Sequence, residues 1–223
     1  MLSKLTNVIQ AIAFWEEYIE HEILPQYPKA RICLLRPSIA FMLMMEQDAA
    51  SLRDALPPLQ DYTHIFMPIN DNRDVTHAEG GSHWTLLLAS LIDGKAFHYD
   101  SLRPSNYEAA KVAAFKLSQV TGVRLELTDF EDAPQQENGS DCGMFVCLNM
   151  KELLLKKLLR TERGGRVDMS LRGEKINAYA GRKEITHIID DLRRQAIESR
   201  SRSRAPSQSP PRIGPEHVSP SPK

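Results

Sequence analysis

Cysteine is scarce: 223 residues hold three, Cys33, Cys142 and Cys147. An odd number at irregular spacing makes neither a disulfide framework nor the paired ligand spacing of a zinc site. It fits a reducing compartment, cytoplasm or nucleus, better than a secreted setting. No apolar run approaches the roughly 20 residues of a membrane-spanning helix; the longest, 39–45, is far too short. No signal peptide is expected, because Glu16 and Glu17 soon interrupt the apolar residues near the start. Excess charge of either sign is missing as well, with a formal net charge of -1. A general nucleic-acid binder is usually strongly basic, so neither nucleic acid nor membrane is expected as a partner. Hydrophobic residues at 42% are enough to build the core of one domain.

What is present changes period along the chain. Val8, Ile9, Ile12, Trp15, Ile19 and Ile23 recur at helical spacing, with Glu16, Glu17, Glu20 and Glu22 mostly between them. This predicts an amphipathic helix ended near Pro25. Residues 31–35 read as a short strand or an extended link. Ser38 is placed to cap a helix over 39–47, and a second short helix is expected over 49–56. From Thr63 the period shortens. Residues 64–69 read as a buried strand that Pro68 either ends early or puts near an edge, 70–82 as a polar loop, and 83–91 as a long apolar strand. Asp93-Gly94 is a hairpin turn signal, and 95–99 is the return strand. An alanine-rich helix over 106–120 and a strand over 124–128 follow. A helix beginning at Cys142 runs on to about Leu159, and a last one is expected over 185–197. Beyond 198 the composition turns to Ser, Arg and Pro with almost nothing to bury. The expected division is therefore a folded domain over 1–198 and a disordered tail over 199–223.

Cys142 stands where the chain switches from polar and turn-prone, with Asn138-Gly139 just upstream, to apolar. A thiol in the first turn of a helix meets unpaired backbone N–H groups and the positive end of the helix dipole. Both favour thiolate, the nucleophilic form. A lone cysteine is more often a buried structural residue, so a catalytic reading needs a base, an orienting acid and an oxyanion donor. Of the seven histidines, His83 opens a strand after a Gly-Gly loop, where strand meets cleft. Asp100, at the end of the return strand, is the candidate acid; it would fix the imidazole tautomer and stabilise the charged ring. The hairpin tests this pair. A two-residue turn at Asp93-Gly94 pairs Ile92 with Lys95 and sets Asp100 opposite Leu87, about 13 Å along the strand from His83. Contact requires a longer loop or a bulge. For the oxyanion, the backbone N–H of Cys142 is one donor, and the amide of Gln135 or Gln136 is another.

Four motifs in this order, Ile69-Asn70-Asp71-Asn72, Gly80-Gly81-Ser82-His83-Trp84, His98-Tyr99-Asp100-Ser101 and Asp141-Cys142-Gly143-Met144-Phe145-Val146, resemble the ubiquitin-like-protein proteases. These are the sentrin/SUMO-specific peptidases, and the match is nearest to the deneddylase branch. The resemblance covers roughly residues 64 to 150. It implies an α+β, papain-like cysteine protease fold, with the nucleophile on a central helix packed on a mixed β-sheet. It also implies a cysteine peptidase or isopeptidase that cleaves after the C-terminal Gly-Gly of a ubiquitin-like modifier, of the NEDD type before others. By it His83 is general base, Asp100 its orienter, Cys142 the nucleophile, and Gln136, six residues before the cysteine, the oxyanion donor. Trp84, Asn70, Asp71 and Asn72 are expected to meet the substrate. No metal or cofactor is implied, and the partners expected are the modifier and its conjugates. Rival readings are SUMO as the modifier, a non-catalytic modifier-binding protein, and an acetyltransferase of related fold. Family members carry a Trp-Leu segment with a nearby Asp or Asn before the first helix. Only Leu5-Thr6-Asn7 stands there in this sequence, so the domain is expected to lack that segment.

Overall fold

Two unbroken apolar runs set the architecture. In the computed structural model, which describes residues 8–76, 80–160 and 167–203, they form β2 (His64–Asn70) and β3 (Trp84–Ser90), and every residue of both is buried. Strands covered on both faces lose the polar–apolar alternation of a half-exposed sheet. With β1 (Ile32–Leu34), β4 (Lys95–Tyr99) and β5 (Glu126–Asp129) they make a five-stranded mixed sheet in the order β1-β2-β3-β4-β5. The outer pairs are parallel and the two inner pairings antiparallel. Pro68 does lie beside an open stretch. His64 N–H donates to Arg31 O and Phe66 O accepts from Leu35 N, so alternate residues of β2 face β1. Pro68 is next in that series, and β1 has already ended at Leu34.

Helices cover both faces. On one, α2 (Pro37–Met45) and α3 (Tyr107–Thr121) pack through Leu43, Ala113 and Leu117 against Ile65, Met67, Leu87 and Ala89. On the other, α4 (Cys142–Lys151) lies against β3, and α1 (Val8–Tyr18) covers α4. Eight of the ten residues of α4 are buried, which explains a helix apolar on nearly all sides. Where α1 crosses the start of α4, a Cβ on Gly143 would come within 2.2 Å of Val8 Cγ1; no side chain fits there. Trp15 Nε1–H donates to Cys147 O at 2.9 Å, tying the two helices together. The α+β architecture expected from the sequence is present.

The described residues divide into two units between Lys183 and Glu184. The sheet and α1 to α4 belong to the first. Helix α5 (Ala178–Ser203) begins seven residues earlier than the periodicity predicts, because Asn177 Oδ1 accepts from Ala180 N–H at 2.9 Å and caps it. It also runs past the predicted boundary after residue 198. Ser199 Oγ and Ser201 Oγ fold back on Ala196 O and Ile197 O, so the first of the Ser-Arg residues remain helical. The rest of the predicted tail, 204–223, lies outside the described residues, as do 1–7.

Other boundaries shift for local reasons. Helix α2 starts at Pro37, whose fixed φ suits the first helical position, and Ser38 makes no cap. Over 49–56 only a 3₁₀ turn forms, Ala49–Leu52, with Asp48 Oδ1 accepting from Ala50 N–H. Glu16 is the largest departure. It was expected on the polar side of α1, but it is fully buried, since α1 is covered by α2 as well as α4. Burial pushes its carboxyl up to about 9, against the opposing pull of Arg36. Between the ordinary value of 4.5 and that one, the unfolded chain has given up a proton that the folded chain keeps, so this residue lowers stability as pH rises. Glu16→Gln is expected to gain stability over the parent between about pH 5 and about pH 8, with a limiting slope of about 1.4 kcal/mol per pH unit. Denaturant unfolding at both pH values checks this. A pH-independent difference would mean that Glu16 is ionised in the fold.

Candidate active site

The nucleophile candidate sits where the sequence switches character. Cys142 is the first residue of α4, preceded by Asp141. Asn138 Nδ2 donates to Asp141 Oδ2 at 2.8 Å, and Arg182 of α5 pairs with the same carboxylate. The loop that delivers Cys142 is thus held from both sides. Burial opposes ionisation of the thiol. The neighbouring His83 imidazole and the backbone N–H groups of Trp84 and Gly143 outweigh it and hold Cys142 below the ordinary thiol value. The other two thiols go the opposite way. Burial pushes Cys33 up to about 12 and Cys147 well up, and all three cysteines are free.

The His83–Asp100 question is answered by the hairpin register. Ser90 pairs with Lys95 and Leu87 with His98, so the loop holds four residues, 91–94, where Asp93-Gly94 alone was expected. Ser90 Oγ–H donates to Asp93 Oδ2 at 2.6 Å and accepts from Asp93 N–H, which draws Asp93 into a wider turn. The register slides by two. His83 and Asp100 become diagonal neighbours on one face, a separation that long side chains bridge. His83 Nε2 lies 2.6 Å from Asp100 Oδ1. Asp100 Oδ1 also accepts from Leu102 N–H at 2.8 Å, and Oδ2 from Asn106 N–H at 3.1 Å, at the start of α3. Burial alone would raise the Asp100 carboxyl. These donors, His83 first among them, bring it below the ordinary value. With Nε2 on Asp100, the remaining ring nitrogen is Nδ1, the one left for Cys142. Burial disfavours the imidazolium, but Asp100 and Cys142 together push His83 up to about 9.

Asp71 and the amide nitrogen of Asn70, two residues expected to touch substrate, bond to the segment that carries His83, while Asn70 Oδ1 accepts from Asn72 N–H. Asp71 Oδ1 accepts from Ser82 N–H and His83 N–H at 2.7 and 3.0 Å, and Oδ2 from Ser82 Oγ–H at 2.6 Å. Asn70 Nδ2 and Asn106 Nδ2 both donate to His83 O. The fit depends on Gly81, whose φ of +84° is left-handed and whose missing Cβ would fall 2.0 Å from Asn70 Oδ1. Asn72 is buried and its Oδ1 accepts from Asp74 N–H. The Trp84 indole is buried too; its link to the site is its backbone N–H.

The glutamines separate cleanly. Both N–H bonds of the Gln135 amide are engaged, with Asp100 O at 2.8 Å and Ala133 O at 3.0 Å. Gln136 Nε2 donates to Asn138 O at 2.6 Å, and an amide nitrogen carries two hydrogens, so one is left over. Among the described residues no group of three or more His, Cys, Asp or Glu is placed to hold a metal ion. No described helix is long and apolar enough to cross a membrane.

Arranged this way, a thiol held below its ordinary value and an imidazole held above its own stand beside one carboxylate. Nucleophilic attack through this pair would need Cys142 deprotonated and His83 protonated. The kcat/KM profile is expected to rise as Cys142 loses its proton below the ordinary thiol range, and to fall as pH passes about 9 and His83 gives up its own. An upper limb near 6.5, the ordinary histidine value, would contradict the pairing.

The model of the Ulp1 protease family, C-terminal catalytic domain, matches residues 9–163. The chain belongs to the Ulp1 protease family. NEDD8-specific protease 2 of Schizosaccharomyces pombe is 32% identical over 185 residues, 81% of this family member and 44% of that protein. Sentrin-specific protease 8 of Mus musculus is 37% identical over 136 residues, 59% of this chain and 60% of that one. The chain thus spans 44% to 60% of the length of these curated relatives. The SUMO protease Ulp1 with its catalytic cysteine oxidised to a sulfenic acid superposes with a TM-score of 0.53 at 22% identity, over 80% of this chain and 74% of that one. Xanthomonas XopD superposes with a TM-score of 0.54 at 17% identity, over 81% and 96%. These two structures share the fold of this Ulp1-family chain.

Proposed function

We propose that this chain is a thiol peptidase that cleaves after the C-terminal Gly-Gly of a ubiquitin-like modifier of the NEDD type, from precursors, conjugates or both. The observation that carries the reading is the 2.6 Å contact of His83 with Asp100, beside a thiol at the first turn of a buried helix. The Cys142 thiolate attacks the carbonyl carbon of the last glycine. Negative charge moves to the carbonyl oxygen, where the Cys142 backbone N–H and the spare Gln136 N–H are the donors. As the tetrahedral species collapses, His83 gives its proton to the leaving amine, and a thioester to Cys142 remains. Water then attacks the thioester, passes a proton to His83, and releases the modifier carboxylate and the thiolate. Asp100 keeps the imidazole oriented and its charged form stable throughout. Each step is carried by groups of the chain and water, with no metal or cofactor.

The NEDD preference follows the Schizosaccharomyces pombe relatives, both named NEDD8-specific proteases. The modifier and its conjugates are the proposed partners. Three free cysteines fit a cytoplasmic or nuclear setting. The test is to incubate the chain with NEDD8, SUMO and ubiquitin precursors, each extended past its Gly-Gly, and to read the products by intact mass. Removal of the extension from the NEDD8 precursor is expected. Cleavage of the SUMO precursor alone would keep the chemistry and overturn the modifier assignment, and no cleavage of any would overturn both.

A further inference from the structure

We propose that Ser101 is a positioning residue that anchors the Gln136 amide, whose sense Asn138 O fixes, so that its nitrogen end stays placed to donate. The proposal rests on the reading of Gln136 as oxyanion donor. Ser101 is buried, at 2% exposure, and directly follows Asp100. Its hydroxyl donates to Gln136 Oε1 at 2.7 Å, and its carbonyl accepts from Gln136 N–H at 2.8 Å. A side-chain amide is nearly symmetric in shape but not in chemistry: one end accepts and the other donates. Turned through half a revolution, Gln136 would offer an oxygen lone pair where a donor is needed, and repel a developing oxyanion. One bond forbids that rotation, since Asn138 O can only accept, and the Ser101 hydroxyl, which could serve either end, anchors the amide in place. Nε2–H donates to Asn138 O at 2.6 Å, and Ser101 Oγ–H holds Oε1. Asn138 lies in the same loop as Gln136 and moves with it. Ser101 belongs to the other arm of the site, so its bond also fixes the amide relative to the His83–Asp100 pair.

The same two dipeptides are joined again nearby. Gln135 Nε2–H donates to Asp100 O, and Gln135 Oε1 accepts from Arg103 N–H. Asp100-Ser101 therefore faces Gln135-Gln136 along its length, one residue holding the imidazole and the next the amide. The backbone bond from Gln136 N–H to Ser101 O survives any side-chain replacement, so removing the hydroxyl frees the amide without releasing the loop.

The test separates oxyanion positioning from damage to the dyad by using two reactions of one thiol. Hydrolysis of NEDD8 carrying a fluorogenic C-terminal amide develops an oxyanion; alkylation of Cys142 by iodoacetamide does not. Ser101→Ala is expected to lower kcat by about 10-fold or more, below the roughly 10²- to 10³-fold that follows outright loss of an oxyanion donor, because the amide is loosened and not removed. KM and the rate and pH dependence of alkylation should stay at parent values. Ser101→Thr, which keeps the hydroxyl, should retain hydrolysis. In Gln136→Ala the further change Ser101→Ala should cost little, since the two residues act as a unit. Slowed alkylation in Ser101→Ala would overturn the proposal by placing its effect on the thiolate–imidazolium pair. Additive losses in the double variant would also overturn it. So would low hydrolysis with normal alkylation in Ser101→Thr. If Gln136→Ala loses hydrolysis and Ser101→Ala does not, the Gln136 reading stands and the Ser101 proposal falls. If Gln136→Ala keeps full turnover, both fall.

Discussion

Replacing Cys142 by alanine is expected to lower hydrolysis by at least about 10⁴-fold, the order of loss that follows removal of a nucleophile. No other thiol can stand in. Cys147 is on the same helix but fully buried, and Cys33 is buried on the other side of the sheet, where burial pushes it up to about 12. The fold should survive the change. Alanine has the highest helix propensity, and the change removes a single sulfur atom from the first residue of α4. Retained binding of the modifier with turnover abolished is therefore the expected pattern, read by calorimetric titration beside a hydrolysis assay. Undiminished hydrolysis by Cys142→Ala would remove this residue from the chemistry altogether.

The second large effect is at Asp100. Asp100→Asn keeps shape and volume but replaces two acceptor oxygens by one oxygen and one NH₂ group. The parent carboxylate accepts from His83, Leu102 N–H and Asn106 N–H at once. Whichever way the amide turns, a donor then faces a donor, either at Nε2 or at α3. Where it faces Nε2, the ring is pushed into the opposite tautomer, with its proton on the nitrogen that should serve Cys142. The expected loss in kcat is about 10² to 10⁴, as for other orienting carboxylates. The pH profile carries a second signature. Without the carboxylate, His83 loses the first of the interactions that hold it near 9, so the upper limb should move down toward the ordinary histidine value. Stability changes with a definite sign as well. The Asp100 pKa is lowered in the fold, so its contribution is present above the ordinary 3.8 and is lost as pH falls below it. Parent and variant should therefore differ most at neutral pH and converge in acid. Turnover near the parent level with an unmoved upper limb would place the orienting acid elsewhere.

How much of this was legible in the chain depends on what kind of interaction was at stake. Periodicity placed β4 at 95–99 to the residue and started the nucleophile helix at Cys142, because both are set by which side chains must be buried. The His83–Asp100 contact was not legible. Asp93-Gly94 reads as a two-residue turn, but the loop holds four residues, with the Ser90 hydroxyl on the Asp93 carboxylate. A shift of two residues in register decides whether the pair meets. Glu16 was misplaced because a helical pattern tells which side faces the core only when one side is covered, and α1 is covered on two. Gln135 and Gln136 were indistinguishable as residues. Their difference lies in how many N–H bonds each has left, which depends on Asp100 O, Ala133 O and Asn138 O. The Trp84 contribution carries no signal at all, since any non-proline residue has a backbone N–H. Asn70 and Asp71 were legible as belonging to the site but not as holding the backbone of His83, a role set by the loop path around Gly81.

In the proposed reaction Cys142, poised by His83, attacks the carbonyl after a modifier's Gly-Gly. The most direct measurement is reaction of the chain with NEDD8, SUMO and ubiquitin that each carry a vinyl sulfone at the C-terminus. Adducts are read by intact mass and the modified residue by peptide mapping. A single adduct with the NEDD8 probe, on Cys142 and absent from His83→Ala, is the predicted result. A modifier adduct on Cys33 or Cys147, or no adduct with any of the three probes, would contradict it.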